Sequence, residues 1–306
     1  MFVGVILIGG LSSAVIASTT FRSTLVKGTE QLIVNQYDDT KWKNTVDPLS
    51  TPSEWFEGDA NITNAKSKVT IRGWNSNPWQ IYDVLTSIFL PFYLDLIEMV
   101  GLLEIMKSQG YNETTINTNY TSTYSLWYGL SAVWNFTDKI FEENPSYTAG
   151  LIILQDPLDF NTILDDYNNL AAELNGNIFI TSYYTFPILN ADDFLWQLIL
   201  SGLAIAEPQK EYLAELISGL GVVNASSSGS TLIIERYGVS NYTVEISYGS
   251  KGTISTFTVK DLNGDIIYQI TSTNSEWIFY TILIIIVASI VGLIGYIIFR
   301  RRKLAR

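Results

Sequence analysis

Twenty-three residues from Trp277 to Phe299 carry no charge and are mostly branched and apolar, and Arg300, Arg301, Arg302 and Lys303 follow without a gap. No other stretch so restricts what the chain can become. At about 1.5 Å of rise per residue, a helix of this length crosses a hydrocarbon core roughly 30 Å thick. A helix buried in a water-soluble core seldom runs so far without a charge, and it has no use for four consecutive cations at its exit. The positive-inside rule puts that cluster, with Arg306 behind it, in the cytoplasm. Trp277 and Tyr280 at one end and Tyr296 at the other suit the two interfacial belts. The expected topology is therefore a plasma-membrane anchor over 276–299 and a cytoplasmic basic tail over 300–306, with the N-terminus outside. The tail is too short for a signalling domain, but it can hold membrane lipid headgroups at around 1 kcal/mol per basic residue. Ala288 and Gly292 have the spacing of a small-residue helix contact, which leaves a homo-oligomer open.

A second apolar segment, Phe2 to Ala17, contains Gly9-Gly10 and ends in small residues before Ser18. It is short for a span. We read 1–18 as a signal sequence or, because no basic residue precedes the apolar run, as a signal anchor.

Between these segments the chain is acidic. With the five cations of the tail set aside, 13 basic and 30 acidic residues remain, a net −17 on the external part. Nucleic-acid binding needs a basic footprint and is excluded. Cysteine and histidine are both absent. No disulfide staples the external part, and neither a Ser-His-Asp triad nor an ordinary zinc site can be built. Richness in Ile, Tyr, Asn, Ser and Thr without Cys, on a signal–ectodomain–anchor–tail plan, resembles archaeal exported single-pass surface glycoproteins as a class.

Along the ectodomain, 19–66 reads as polar and irregular and 68–74 as a strand. Val84 to Lys107 reads as a buried or amphipathic helix interrupted by Asp95, Glu98 and Glu104. Residues 109–123 read as a loop. Helical spacing through Leu126, Leu130, Val133, Trp134 and Ile140 predicts a helix over 124–141. A strand over 149–154, a helix from Asp159 or Asn161 to Asn175 and a strand over 177–186 suggest a βαβ unit. Helices over 192–206 and 209–220, hinged at Pro208, precede a linker at 222–230. Four strands then follow, at 231–237, 242–248, 253–260 and 265–271, with a type I′ hairpin signal at Asn263-Gly264. The expected fold is an α+β ectodomain (19–221) with a membrane-proximal antiparallel β-meander or sandwich-like module (222–275).

Six N-x-S/T sequons mark candidate glycosylation sites at Asn61, Asn112, Asn119, Asn135, Asn224 and Asn241, against about four expected by chance. Trp74, Asn75, Asn77 and Trp79 form a candidate binding surface for glycans or envelope proteins. Asp261, Asn263 and Asp265 alternate as calcium ligands would, although the glycine comes too early for an EF-hand loop and a hairpin turn accounts for the same residues. No catalytic residue, metal site or cofactor is assigned. The expected function is binding, adhesion or a structural role in the cell envelope. Two alternatives remain: a viral envelope glycoprotein using Val84–Met106 to enter membranes, and an anchored hydrolase that relies on carboxylates.

Overall fold

The computed structural model describes residues 20–141 and 151–273. The expected signal, anchor and tail, with Trp277, Tyr280, Tyr296 and Arg300 to Lys303, lie outside the described residues. Among the described residues no helix is long and apolar enough to cross a membrane.

In chain order, β1 (Gly28–Tyr37) leads into α1 (Asp39–Thr45), α2 (Ser53–Phe56) and β2 (Lys66–Trp79). A helical insertion follows: α3 (Ile81–Val84), a π-helical turn (Leu85–Phe89), α4 (Leu90–Tyr93), α5 (Leu96–Ser108) and α6 (Glu113–Asn119). Next come β3 (Tyr124–Thr137), β4 (Leu151–Leu154), α7 (Asp159–Asn175), α8 (Ile178–Thr181), α9 (Ala191–Leu200) and α10 (Gln209–Leu220). The chain closes with β5 (Ala225–Ser228), β6 (Thr231–Tyr237), β7 (Asn241–Tyr248), β8 (Ile254–Asp261) and β9 (Ile266–Thr273).

Strict alternation drives the C-terminal strands. On β7, Tyr242, Val244, Ile246 and Tyr248 are buried, while Asn241 is exposed and Thr243, Glu245 and Ser247 are half-buried on the other face. Register carries this pattern sideways, because Val244 opposes Val259, which in turn opposes Tyr268. The meander expected over the last strands is present, with the Asn263-Gly264 turn between β8 and β9. It does not form a second stacked sheet. β9 pairs with β1, and one antiparallel sheet runs β4-β3-β2-β1-β9-β8-β7-β6-β5 through both halves of the chain. Residues 222–230 are likewise no free linker, since β5 pairs with β6 as an edge strand.

The opposite face is polar. Thr231 and Ser247 hydroxyls meet at 2.9 Å, Lys260 Nζ reaches Glu245 at 2.6 Å, and Asn35 Nδ2 donates to Thr271 at 2.8 Å. Such a sheet buries one side against helices and leaves the other in water. The buried side takes Phe160, Ile163, Tyr167, Leu170 and Leu174 from α7, and Tyr212, Leu213 and Leu216 from α10.

Several local expectations are corrected by tertiary context. The segment 124–141 is strand through Thr137, because Tyr124 and Leu126 bury every second residue and the backbone pairs with β2 and β4. Its apolar residues match a helical period only by coincidence. Loop 109–123 contains α6, which the Asn112 side chain caps by accepting from Thr115 N at 3.0 Å. The expected βαβ unit is absent. β4 is an edge strand antiparallel to β3, and Asn177 turns the next residues into α8 by accepting from Phe179 N.

Residues 186–189 are held by side chains in place of a strand partner. Asn175 bonds both the N–H and the C=O of Phe186 at 2.8 Å. Asn168, two turns earlier on α7, does the same for Leu189 at 2.8 and 2.9 Å. Two side-chain amides thus supply what a neighbouring strand would have supplied. The helix expected over 192–206 stops at Leu200, and the following segment reaches Glu207, whose backbone pairs with Arg22. The stretch read as irregular at 19–66 holds β1, α1 and α2. β1 is central in the sheet, with β2 on one side and β9 on the other.

Candidate functional site

An apolar helix whose outer side is exposed among the described residues marks the site. Pro91 lies near the start of α4, and Leu94 takes an extended conformation that ends it. Asp95 then starts α5 with a capping box. Its carboxylate accepts from Ile97 N and Glu98 N, both at 2.8 Å, and Glu98 reaches back to Asp95 N at 3.2 Å. α5 is apolar on nearly every side, yet only Leu102 and Met106 are fully buried. Leu96, Ile97 and Val100 are 70%, 82% and 52% exposed.

α8 extends this surface with Ile178 and Phe179, 75% and 64% exposed. The two helices meet where the Tyr183 hydroxyl donates to Glu98 O at 3.3 Å. Gly101 makes this approach possible, because a Cβ there would come within 2.6 Å of the Tyr183 oxygen. Phe92 and Tyr93 of α4 are also over a third exposed. Exposed apolar side chains gathered on neighbouring helices in this way are uncommon on a water-facing domain. Beneath them, Tyr93 donates to Gln197 Oε1 at 3.2 Å, while the buried Gln197 Nε2 has no partner among the described residues. Burial, followed by the charge of Asp193, raises the pKa of Tyr93.

A groove of about 620 Å³ opens beside Phe92 and Leu96. Ile88, Met99, Leu200 and Trp55 supply its apolar lining, and Glu54 and Glu57 are its exposed carboxylates. Trp55 is held from behind, 4.7 Å from Trp42 and 5.1 Å from Trp196, centroid to centroid. Arg236 lies 4.3 Å over the Trp196 ring. The acidic wall is placed by an unusual turn, with Glu57 at φ +54° and Gly58 at φ +64°. There Asp59 N donates to Phe136 O at 2.8 Å, which docks α2 on the end of β3.

A Cβ on Gly58 would run into the Phe136 carbonyl. Gly58→Ala is expected to cost roughly 2–4 kcal/mol, from the left-handed backbone plus the clash. The same change at Gly110, also at positive φ but with open space around its Cβ, should cost only about 1 kcal/mol. Denaturant titration of the two variants checks the difference, and equal losses would refute it.

The residues singled out from sequence are scattered. Trp74 and Trp79 lie on β2, a strand and not a loop. Trp74 is 39% exposed and opposes Gly129, whereas Trp79 packs against the core and opposes Tyr124. Asn77 is exposed, opposite the buried Leu126, and Asn75 stands in register with Tyr128. Trp74 lies at an even position and Asn77 and Trp79 at odd ones. The sheet therefore splits them between its two faces. Of the sequons, Asn119, Asn135, Asn224 and Asn241 are exposed, and Asn61 and Asn112 are half-buried.

The Asp261–Asp265 loop is a hairpin turn. Asp261 Oδ1 accepts from the backbone N–H of Asn263 and Asp265, both at 2.9 Å, and Lys41 Nζ sits 2.7 Å from Asp265. A lysine ammonium already occupies the place the loop would offer a cation. Among the described residues no group of three or more acidic residues is gathered closely enough to hold a metal. Sequence reasoning missed the apolar face. Its available signal was Asp95, which caps α5 where it was read as an interruption. No protein-family model matches this chain, and no curated protein and no solved structure matches it.

Proposed function

We propose that the protein is a single-pass cell-surface glycoprotein with a binding or structural role in the envelope, and that it meets a protein partner through the α4–α5–α8 face. The observation that carries this reading is the exposure of Leu96, Ile97, Ile178 and Phe179 on two helices that rest on one another. The uncharged run at 277–299 with its basic end supports the anchor, and the long acidic region before it supports an external domain. Glu54 and Glu57 beside the groove, with Glu98 on α5, favour a partner whose apolar side chains are flanked by Lys or Arg. No sequon lies between residues 62 and 111 or between 138 and 223, so no N-linked sugar is attached to the helices that form this face. A fusion role for Val84–Met106 is less favoured. Val84, Leu85, Ile88, Phe89, Leu102 and Met106 are core residues, and membrane entry would dismantle that core.

A photo-crosslinking residue at Ile97 in the full-length protein, activated on intact cells, tests the reading. A discrete protein adduct is expected. Ile97→Asp together with Phe179→Asp should weaken recovery of that partner at least tenfold, since burying each side chain is worth about 1.5–3 kcal/mol. Neither side chain supports the fold, so the melting temperature should hardly change. Absence of any adduct, or an ectodomain that survives protease treatment of intact cells, would overturn the proposal.

A further inference from the structure

We infer that Asn241 carries an N-linked glycan whose first sugar packs on the ring of Tyr237, in a groove built by the β6–β7 hairpin. The inference rests on the exported-glycoprotein reading and adds to it a specific site with a sugar platform.

Strand register is the basis. Asn241 directly opposes Tyr237 beside the turn that closes the hairpin, so their Cβ atoms share a face about 4.5–5.5 Å apart. The sequon hydroxyl, on Thr243, is two residues along the same strand and therefore also on that face. Tyr237 is 78% exposed and stands outside the hydrophobic core, so core packing does not explain its ring. A pyranose presents a face of C–H bonds that fits such a ring. Asn241 alone among the six sequon asparagines stands opposite an exposed aromatic in strand register.

The place is also shaped and stiff. A groove of about 330 Å³ is lined by Tyr237, Asn241, Thr243, Glu235, Asn224 and Leu262, within the range of small-ligand sites. Its polar side chains offer hydroxyl, amide and carboxylate partners to sugar hydroxyls. The hairpin tip is pinned, because Ser240 N donates to Thr45 O at 3.0 Å. A Cβ on Gly238 would collide with the Val46 carbonyl, so the tip lies directly on the end of α1. The backbone that carries both residues is thus fixed in register before any sugar is attached, which lowers the ordering cost of stacking.

Full-length protein from a host with N-linked glycosylation, purified in detergent, provides the test. Peptide mass spectrometry should find Asn241 occupied. Tyr237→Ala should lower the melting temperature of the glycosylated protein by roughly 1–4 °C, Tyr237→Phe should not, and Tyr237→Ala in an Asn241→Gln background should have little further effect. Asn119→Gln, at an exposed sequon on α6 away from the groove, should leave this coupling intact. Sugar on other sequons with Asn241 bare, or an equal effect of Tyr237→Ala in both backgrounds, overturns the inference and spares the exported reading. Absence of sugar on every sequon overturns both.

Discussion

Raising the pH above 10 is expected to unfold the protein cooperatively by about pH 12, because five tyrosines are buried where they cannot ionise. Tyr124, Tyr167, Tyr212, Tyr248 and Tyr268 are each at most 3% exposed. Burial raises all five phenol pKa values well above the ordinary 10.0. At Tyr124 the hydrogen bond to the Asp166 carboxylate adds to that effect. A raised folded-state pKa means the associated stability is intact below pH 10, where neither state has lost its protons. Above pH 10 the unfolded chain releases protons that the folded chain retains. Each tyrosine then weakens folding by about 1.4 kcal/mol per pH unit, and the five together by about 7. A domain stable by about 5–15 kcal/mol is exhausted within about two units. Tyrosinate absorbance and far-ultraviolet circular dichroism should change together. Smooth ionisation of all the tyrosines with the dichroism intact would refute the argument.

Trp42→Ala should be among the most damaging single substitutions, at about 3–5 kcal/mol. Trp42 is fully buried on α1 and touches Tyr37, Trp55 and Tyr268 at centroid distances of 6.1, 4.7 and 5.9 Å. Three separate parts of the chain close around it: α1, α2 and the β1–β9 pair. Its buried indole N–H has no partner among the described residues, so packing and not hydrogen bonding is what is lost. A fall in melting temperature of about 6–20 °C is expected. Trp42→Phe keeps an aromatic ring, removes the unsatisfied donor, and should recover much of the loss. Because Trp55 lines the groove with Trp42 at its back, Trp42→Ala should also weaken partner capture by more than its effect on folding. A melting temperature lowered by less than about 3 °C would show that the cluster relaxes into the gap.

Local grammar was legible where it was self-sufficient. The strands from Thr231 onward alternate cleanly and carry a turn signal, and the structure places them within a residue or two of expectation. The body of α7 was equally plain from Ile163, Tyr167, Leu170 and Leu174. Segments whose partner lies far away misled. Leu126, Leu130, Val133 and Trp134 fit a helix until β2 is placed beside them, and 177–186 reads as a strand although Asn177 caps α8 and Asn175 of α7 bonds Phe186 in place of a strand partner. The candidate site was illegible for a related reason. An apolar helix is ordinarily a buried helix, and only the packed fold leaves Leu96, Ile97 and Val100 outside.

By itself the sequence determined the apolar run with its cationic end, the acidic, cysteine-free and histidine-free chemistry, and the alternation that makes β6 to β9. These are properties of composition and of spacings shorter than about ten residues, which no distant contact can alter. Only the tertiary structure decided that β9 pairs with β1 and so joins both halves in one sheet. It also set Tyr237 across from Asn241 and left the α5–α8 face exposed among the described residues. Each of these depends on which distant surfaces meet. That choice follows from the burial of the whole chain at once, and no single segment encodes it.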